Sequence, residues 1–488
     1  GGAGPSLTLP ARRGGVALAS RVGLRRPGPP RNHNPFCFPM RAPPLALLGV
    51  LVALSPLWAQ PTKRPAPDLR VGAAAVELEA DDGMVIGGGI LPGKAKGQDA
   101  PLRAVAVVID KPGSGKVAIV ACDVLMMNRD LLDPAAEEVA KAIAIPASNV
   151  LINCTHTHHA PSTCTIHGYA RDELFSRRVQ QAIIKAAKEA NGKLADSTLH
   201  FRLGEESSVG QNSRLLLKDD TIYWVGPRDD AVRPTGPFDP ELPVLSFRDA
   251  GDKPRATLFN HSTHTIGVRK PGTRSPSFYG LAAQELEGEI GGTFLFLEGA
   301  SGSTHNLTLT GDEMTLRIKQ AVKDALHKAT PRSVDRIAAV KKPFKFKVRT
   351  FDEAKEDAAV ESYCRKRTGK GADDVIKVFR DQRKVLAPLQ GQERTTWVQA
   401  ILIGDIAIVG VPAEFFTLLG QDIKRRSPFR YTYVAELAND WIGYLPDKKA
   451  HELGGYQTWT GLHSFAEPGT GERIADAAVE LLEGLAKR

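Results

Sequence analysis

Short apolar runs recur along the chain and alternate with stretches in which apolar residues return every third or fourth position. The first pattern predicts strands and the second amphipathic helices. "LRAVAVVIDKPGSGKVAIVACDVLMM" (102–127) is two apolar runs around a Gly-rich segment, a hairpin. Its Gly-Ser-Gly-Lys at 113–116 lacks the Gly a phosphate loop needs at 110, which is Asp, and a strand rather than a helix follows, so it reads as a turn. "DPAAEEVAKAI" (133–143) predicts a helix with Asp133 near its cap, "NVLINCTHTHH" (149–159) a strand, and "RDELFSRRVQQAIIKAAKEAN" (171–191) a long helix ending near Gly192. Further strands are expected in "PRATLFNHSTHT" (254–265) and "GGTFLFLEGASG" (291–302), followed by a helix at 312–329. "WVQAILIGDIAIVGVPAEFFTLLGQDI" (397–423) is a hairpin with a Gly-Asp turn that runs into a helix; a last strand (431–446) and a closing helix (472–487) complete the chain. Alternating strands and helices predict an α/β fold, a layered mixed β-sheet with flanking helices and a polar site at strand ends. No internal repeat of fixed period is visible.

The ends and the charge refine this. Residues 1–39 are rich in Gly, Pro and Arg and read as an N-terminal extension outside the folded protein. "MRAPPLALLGVLVALSPLWAQ" reads as a signal peptide (40–59): a basic Arg41, an apolar run from Leu45 to Leu54, and cleavage after Ala59. The expected location is therefore secreted or periplasmic. Residues 60–68 form a linker, and 69–488 one long domain with a charged helical insertion at about 350–395. Seven arginines and no acid lie in residues 1–60, so the remainder carries only +2 of the formal +9. The basic pI belongs to the leader, and no nucleic-acid partner is expected. Cys122, Cys154, Cys164 and Cys364 form no CxxC, which argues against zinc held by thiolates; an exported protein could pair them, but their spacing is no disulfide framework.

"LINCTHTHHAPSTCTIH" (151–167) then stands out, with four of the twelve histidines of the chain. On a strand His156 and His158 share a face and His159 opposes them. A His-x-His pair serves a metal, or one ligand and one general base; it also occurs as a hydrogen-bonded structural pair. Other polar groups follow apolar strands: His261 and His264 in "LFNHSTHT", Glu414 in "IVGVPAEFF", and Tyr444 and Tyr456 in "NDWIGYLPDKKAHELGGYQTW". Each has a bland reading, a helix-start carboxylate or a half-buried loop anchor. Together the bland readings weaken, because each of these polar groups follows an apolar strand.

"NCTHTHHAPST" resembles the Thr-His-Thr-His signature of the neutral/alkaline non-lysosomal ceramidases. "FNHSTHT", "PAEFFTLLG" and "NDWIGYLPDKKAHELGGYQT" resemble further segments of that family, in the same order, across nearly the whole chain after the leader. The resemblance is to the N-terminal catalytic domain; the small C-terminal β-domain is expected to be missing. It implies one Zn2+ held by His156, His261, Glu414 and Tyr444, with His158 as general base, Tyr456 donating to the oxyanion, and Arg214 of "VGQNSRLLL" as a further oxyanion-stabilising cation. It implies a zinc-dependent amidohydrolase acting on a small-molecule or lipid amide, exported if the leader is read as above, and leaves peripheral membrane contact open.

The family's Gly-Asp-x-Ser-Pro-Asn segment is "EGASGSTHNLT" here, without a Ser-Pro. A nucleophilic serine is therefore doubtful, while an activated water survives the change. His305 of this segment is an extra ligand, an acid/base or a substrate contact, or else part of a helix-start loop. Two alternatives stay open: a zinc-binding protein with altered or lost hydrolase activity, and an esterase or amidase on a non-sphingolipid substrate. A metallophosphatase would need several Asp and Asn ligands, which no motif supplies.

Overall fold

The structure, a computed structural model, describes residues 69–487. The extension, the signal peptide and the linker lie outside the described residues. Strands β1 (Arg70–Glu77), β2 (Arg103–Lys111), β3 (Gly115–Cys122), β4 (Val150–Cys154) and β5 (Ala195–Asp196) form one sheet in the order β4-β3-β2-β1-β5. A second holds β6 (Thr198–Glu205), β7 (Glu241–Arg248), β8 (Pro254–His261), β9 (Thr293–Glu298) and β10 (Thr330–Arg332) in the order β9-β8-β7-β6-β10. The third is β11 (Ile337–Lys347), β12 (Glu393–Ile403), β13 (Ile406–Gly410) and β14 (Tyr431–Ala435), in that order. The sheets mix antiparallel and parallel pairs, the fold class the pattern predicts.

The three sheets are built alike. In each, three antiparallel strands are followed by a helix, a fourth strand parallel to the third, and a second helix. The helices are α1 (Arg129–Ile143) and α2 (Glu173–Gly192), α3 (Ser277–Ile290) and α4 (Gly311–His327), then α7 (Thr417–Arg426) and α8 (Thr470–Ala486); α5 (Glu353–Arg367) and α6 (Ala372–Leu386) are an added pair between β11 and β12. This repetition escapes the sequence because the connection from first to second strand differs in every unit: residues 78–102, 206–240 and 348–392. Variable connections erase any fixed period.

Strand alternation splits each unit between two cores. On β2, Ala104, Ala106 and Val108 pack toward Val179 and Ile183 of α2, while Val105, Val107 and Ile109 turn inward. There they meet Leu245 and Phe247 of β7 and Ile401 and Ile403 of β12 in one shared core. Burial on both faces is why these strands read as unbroken apolar runs. Side chains such as Phe247, fully buried, contribute roughly 1.5–3 kcal/mol each.

Three local expectations change. Helix α1 begins at Arg129, so Asp133 lies one turn inside it, where it accepts from Arg129 Nε (2.9 Å) and Trp397 Nε1 (2.8 Å). Strand β4 stops at Cys154, before the histidines. The charged insertion is more than a surface feature: Val360, Tyr363, Ile376 and Phe379 of α5 and α6 are buried, and Arg383 is fully buried on Glu353 and Asp357. The four described cysteines are buried and free. No helix among the described residues is long and apolar enough to cross a membrane.

Third and fourth strands run parallel in every unit, so their C-terminal ends open on one side. The three fourth strands are knitted together there. Asn153 donates to the Glu436 carbonyl, the Glu298 amide to Asn153 Oδ1 (3.2 Å), and the Glu436 amide to the Glu298 carbonyl (3.0 Å). The candidate site sits just beyond these ends.

Candidate functional site

All three units contribute. His156 and His158 follow β4, His264 follows β8, His305 follows β9, and Glu414 and Tyr444 follow β13 and β14. Glu414–Phe415 and Tyr444–Leu445 form a two-residue parallel ribbon with Glu414 beside Tyr444. His156 and His158 do not converge by strand alternation. His156 has φ +62°, a left-handed turn that swings both rings to the same point.

The donor atoms crowd together. His156 Nε2 lies 3.0 Å from His264 Nε2 and 3.4 Å from His158 Nε2. Glu414 Oε2 is 3.5 Å from His156 Nε2 and 3.4 Å from His264 Nε2, and Tyr444 Oη is 3.0 Å from His264 Nε2. The other nitrogen of each ring fixes the tautomer. Nδ1 of His156 donates to the Leu125 carbonyl (2.9 Å), that of His158 to Gly88 (3.1 Å) and that of His264 to Ser301 (2.9 Å). A carbonyl only accepts, so each neutral ring turns an unprotonated Nε2 inward. Three lone pairs then face one another with no proton between any two of them. A shared cation would relieve that, and imidazole, carboxylate and phenolate oxygens are ordinary zinc donors. The donor set therefore fits a divalent ion.

The electrostatics agree. Burial pushes the pKa of His264 down, and that of His158 well down, keeping the rings neutral. Burial pushes the Glu414 carboxyl up, but positive charge at the His156–His264 edge holds it well below the usual range, and with both rings neutral a bound cation would supply that charge. Burial and then the Glu414 charge raise the Tyr444 phenol; a cation would reverse that. Trp441 Nε1 donates to Glu414 Oε1 (3.1 Å) and holds the carboxylate in place. Gly88 is required at the rim: it has φ +102°, and a Cβ there would stand 2.4 Å from His158 Nδ1.

His261 does not join the cluster, and its predicted place is taken by His264. Phe259 and His261 share the face of β8 that packs on α3. His261 Nε2 donates to the Glu206 carbonyl (2.9 Å), and its Nδ1 accepts from Tyr279 Oη (2.5 Å), so no lone pair is left for a metal. Arg214 is also elsewhere. It is buried beneath the loop that carries Tyr456, donating to the carbonyls of Ala450 (3.2 Å) and Gly454 (2.6 Å) and to Gln457 Oε1 (2.8 Å). Burial brings its pKa down to about 10. It props the wall and does not face the cavity. Ser301 and Ser303 are buried as well, donating to Glu436 Oε1 (2.6 Å) and Thr417 Oγ1 (3.1 Å).

A cavity of about 240 Å³ opens onto the cluster, lined among others by His158, His264, His305, Tyr444, Tyr456 and Trp224. A larger surface cleft of about 490 Å³, between Arg202, Glu241 and Lys328, holds none of these groups. His305 lies against His264, the ring centroids 4.3 Å apart and the planes tilted by 31°. Tyr456 lies between Trp224 (4.5 Å, 6°) and His463 (4.8 Å, 13°). Sequence reasoning gave His167 no role, yet it reaches Tyr456. Gln382 Oε1 accepts from the Leu462 amide (2.7 Å), so its Nε2 donates to His167 Nδ1 (3.3 Å). His167 Nε2–H then donates to Tyr456 Oη (3.2 Å), which leaves the phenol proton free to point into the cavity.

Fold and site together define an α/β protein with a cage of nitrogen and oxygen donors at the strand ends of three like units. That fold is the neutral ceramidase fold. The chain superimposes on the neutral ceramidase from Pseudomonas aeruginosa with TM-score 0.66 and 17% identity, covering 86% of this chain and 75% of that one. A ceramidase complexed with C2 gives TM-score 0.67 and 16% identity over 87% of this chain and 76% of that one. No protein-family model and no curated protein matches the sequence.

Proposed function

We propose that this protein is a zinc-dependent hydrolase that cleaves an N-acyl amide bond. The observation that carries this reading is the convergence of three unprotonated Nε2 atoms with Glu414 and Tyr444 at the floor of a cavity. The ceramidase fold supports the reaction class. Export rests on the apolar leader at 40–59 alone.

His156, His264, Glu414 and Tyr444 would hold the ion, which would supply a Lewis acid and lower the pKa of a water toward neutrality. His158 is half-buried and faces the cavity; its Nδ1–H is pinned on Gly88, so Nε2 is its proton-handling atom. It takes a proton from the attacking water and returns one to the departing amine. Tyr456 Oη donates to the oxyanion, its own proton aimed by the His167–Gln382 pair. His305 contacts substrate. With Ser301 and Ser303 buried and hydrogen-bonded elsewhere, water is the nucleophile.

Metal analysis and turnover on one preparation test this. One zinc per chain is expected, with hydrolysis of an N-acyl amide that stops on chelation and returns with zinc. A chain that binds no zinc would sink the metal centre. A zinc-loaded chain that cleaves no N-acyl amide, from acetyl to long-chain and ceramide included, would sink the hydrolase.

A further inference from the structure

We infer that the site takes a compact amide, one half of which is no larger than a single ring or a short chain, and that Trp224 sets this limit. The inference rests on the hydrolase reading above and adds the substrate class. The chamber over the donor cluster has a volume of about 240 Å³. Pockets that enclose drug-sized ligands run to roughly 300–1,000 Å³, and a cavity of roughly 150 Å³ holds benzene. This chamber therefore admits one ring plus the reacting carbonyl and little more.

The far wall does not yield. Trp224 stacks flat on Tyr456 at 4.5 Å and meets Trp459 edge-on at 5.6 Å. Its backbone is fastened by α5: the amides of Trp224 and Val225 donate to Tyr363 Oη at 2.7 and 3.2 Å. Tyr456 is held on its second face by His463, and Phe379 of α6 closes behind both. Neither ring can turn aside to open a channel without breaking two aromatic contacts. His158, His264, His305 and Tyr444 make the floor polar, and the apolar lining, Ile90, Val225, Ile266 and Leu307, belongs to this one small chamber. The helix pair α5–α6, inserted between β11 and β12, is thus what makes the chamber short.

Two probe series test this on the zinc-loaded full chain. In one the acyl half of an amide grows from two to sixteen carbons; in the other the amine half grows. Binding is read by tryptophan quenching and turnover by product release. We expect at least one series to lose tenfold or more in both readouts between four and twelve carbons. We expect Trp224→Ala to shift that limit to longer chains, and Leu307→Trp, on the opposite wall, to shift it shorter. The second variant decides the matter if the first does not fold. Affinity that rises with length in both series overturns the inference, as does failure of every probe to bind. A length limit in binding without turnover leaves the compact chamber standing and removes the hydrolase.

Discussion

The donor cluster and the aromatic wall face each other across one cavity but come from different parts of the repeated unit. The cluster is built from residues just past the ends of third and fourth strands: His264 and Glu414 after third strands, His156 and Tyr444 after fourth ones. The wall is drawn largely from the connections between first and second strands: Gly88 in the first unit, Trp224 in the second, Phe379 and Gln382 in the third. Strand ends are fixed by two buried faces and a knitted centre, so they can hold donor atoms to within a few tenths of an ångström. The connections vary in length without disturbing any sheet, so they can reshape the cavity. The metal donors and the first-to-second-strand part of the wall come from separate segments of chain, and Tyr456, which lies in the wall and acts in the reaction, joins the two.

The sharpest way to break this comparison is His264→Ala beside His261→Ala. The first is expected to lose the metal and about a thousandfold or more in hydrolysis. The second keeps the metal and loses only stability, roughly 1–3 kcal/mol, because Tyr279 and the Glu206 carbonyl lose their partner. Metal analysis of the two variants decides it; loss from His261→Ala alone would return that residue to the cluster.

On the wall, Phe379→Ala removes a fully buried ring and should cost about 3–5 kcal/mol in chemical denaturation. Zinc content should not change. Loss of zinc would show that wall and cluster are not separable. Arg214→Met comes next, at about 3 kcal/mol, since it strips the Ala450 and Gly454 carbonyls and Gln457 of their donor. A group acting on the oxyanion would instead lower kcat at unchanged stability, so the two measurements together separate a prop from a cation in the reaction.

The smallest effect is at His451. Burial, with Arg349 and Arg214 nearby, holds its pKa at about 4. The unfolded chain takes up this proton first, near pH 6.5, so the contribution is complete above about pH 6.5 and is lost as pH falls toward 4. His451→Gln should flatten that part of the stability profile by about 1 kcal/mol, allowing for partial exposure. An unchanged slope would show that His451 titrates alike in both states.

Much of the fold is legible from local pattern. The hairpin of β2 and β3 follows from two apolar runs around Gly113, and α2 from its helical periodicity behind Asp172, whose side chain caps it by accepting from the Phe175 amide (2.9 Å). These features depend on neighbours in sequence, so a single chain displays them. That His156, His158, Glu414 and Tyr444 lie together was also within reach, because each follows an apolar strand.

What the sequence could not settle is whatever depends on where one element meets another. Whether His261 or His264 enters the cluster depends on which face of β8 meets α3. They are three positions apart, His261 at the end of β8 and His264 just beyond it, and only the packing assigns their places. The threefold recurrence of one unit is hidden by its unequal connections. Arg214 turns away from the cavity because a buried guanidinium must satisfy whichever carbonyls surround it, and those belong to residues more than 200 positions away; His167 reaches Tyr456 across a similar separation. Periodicity and residue type are local and determined the elements and the donors available; the partner of each donor is a long-range contact, and only the tertiary structure decided it.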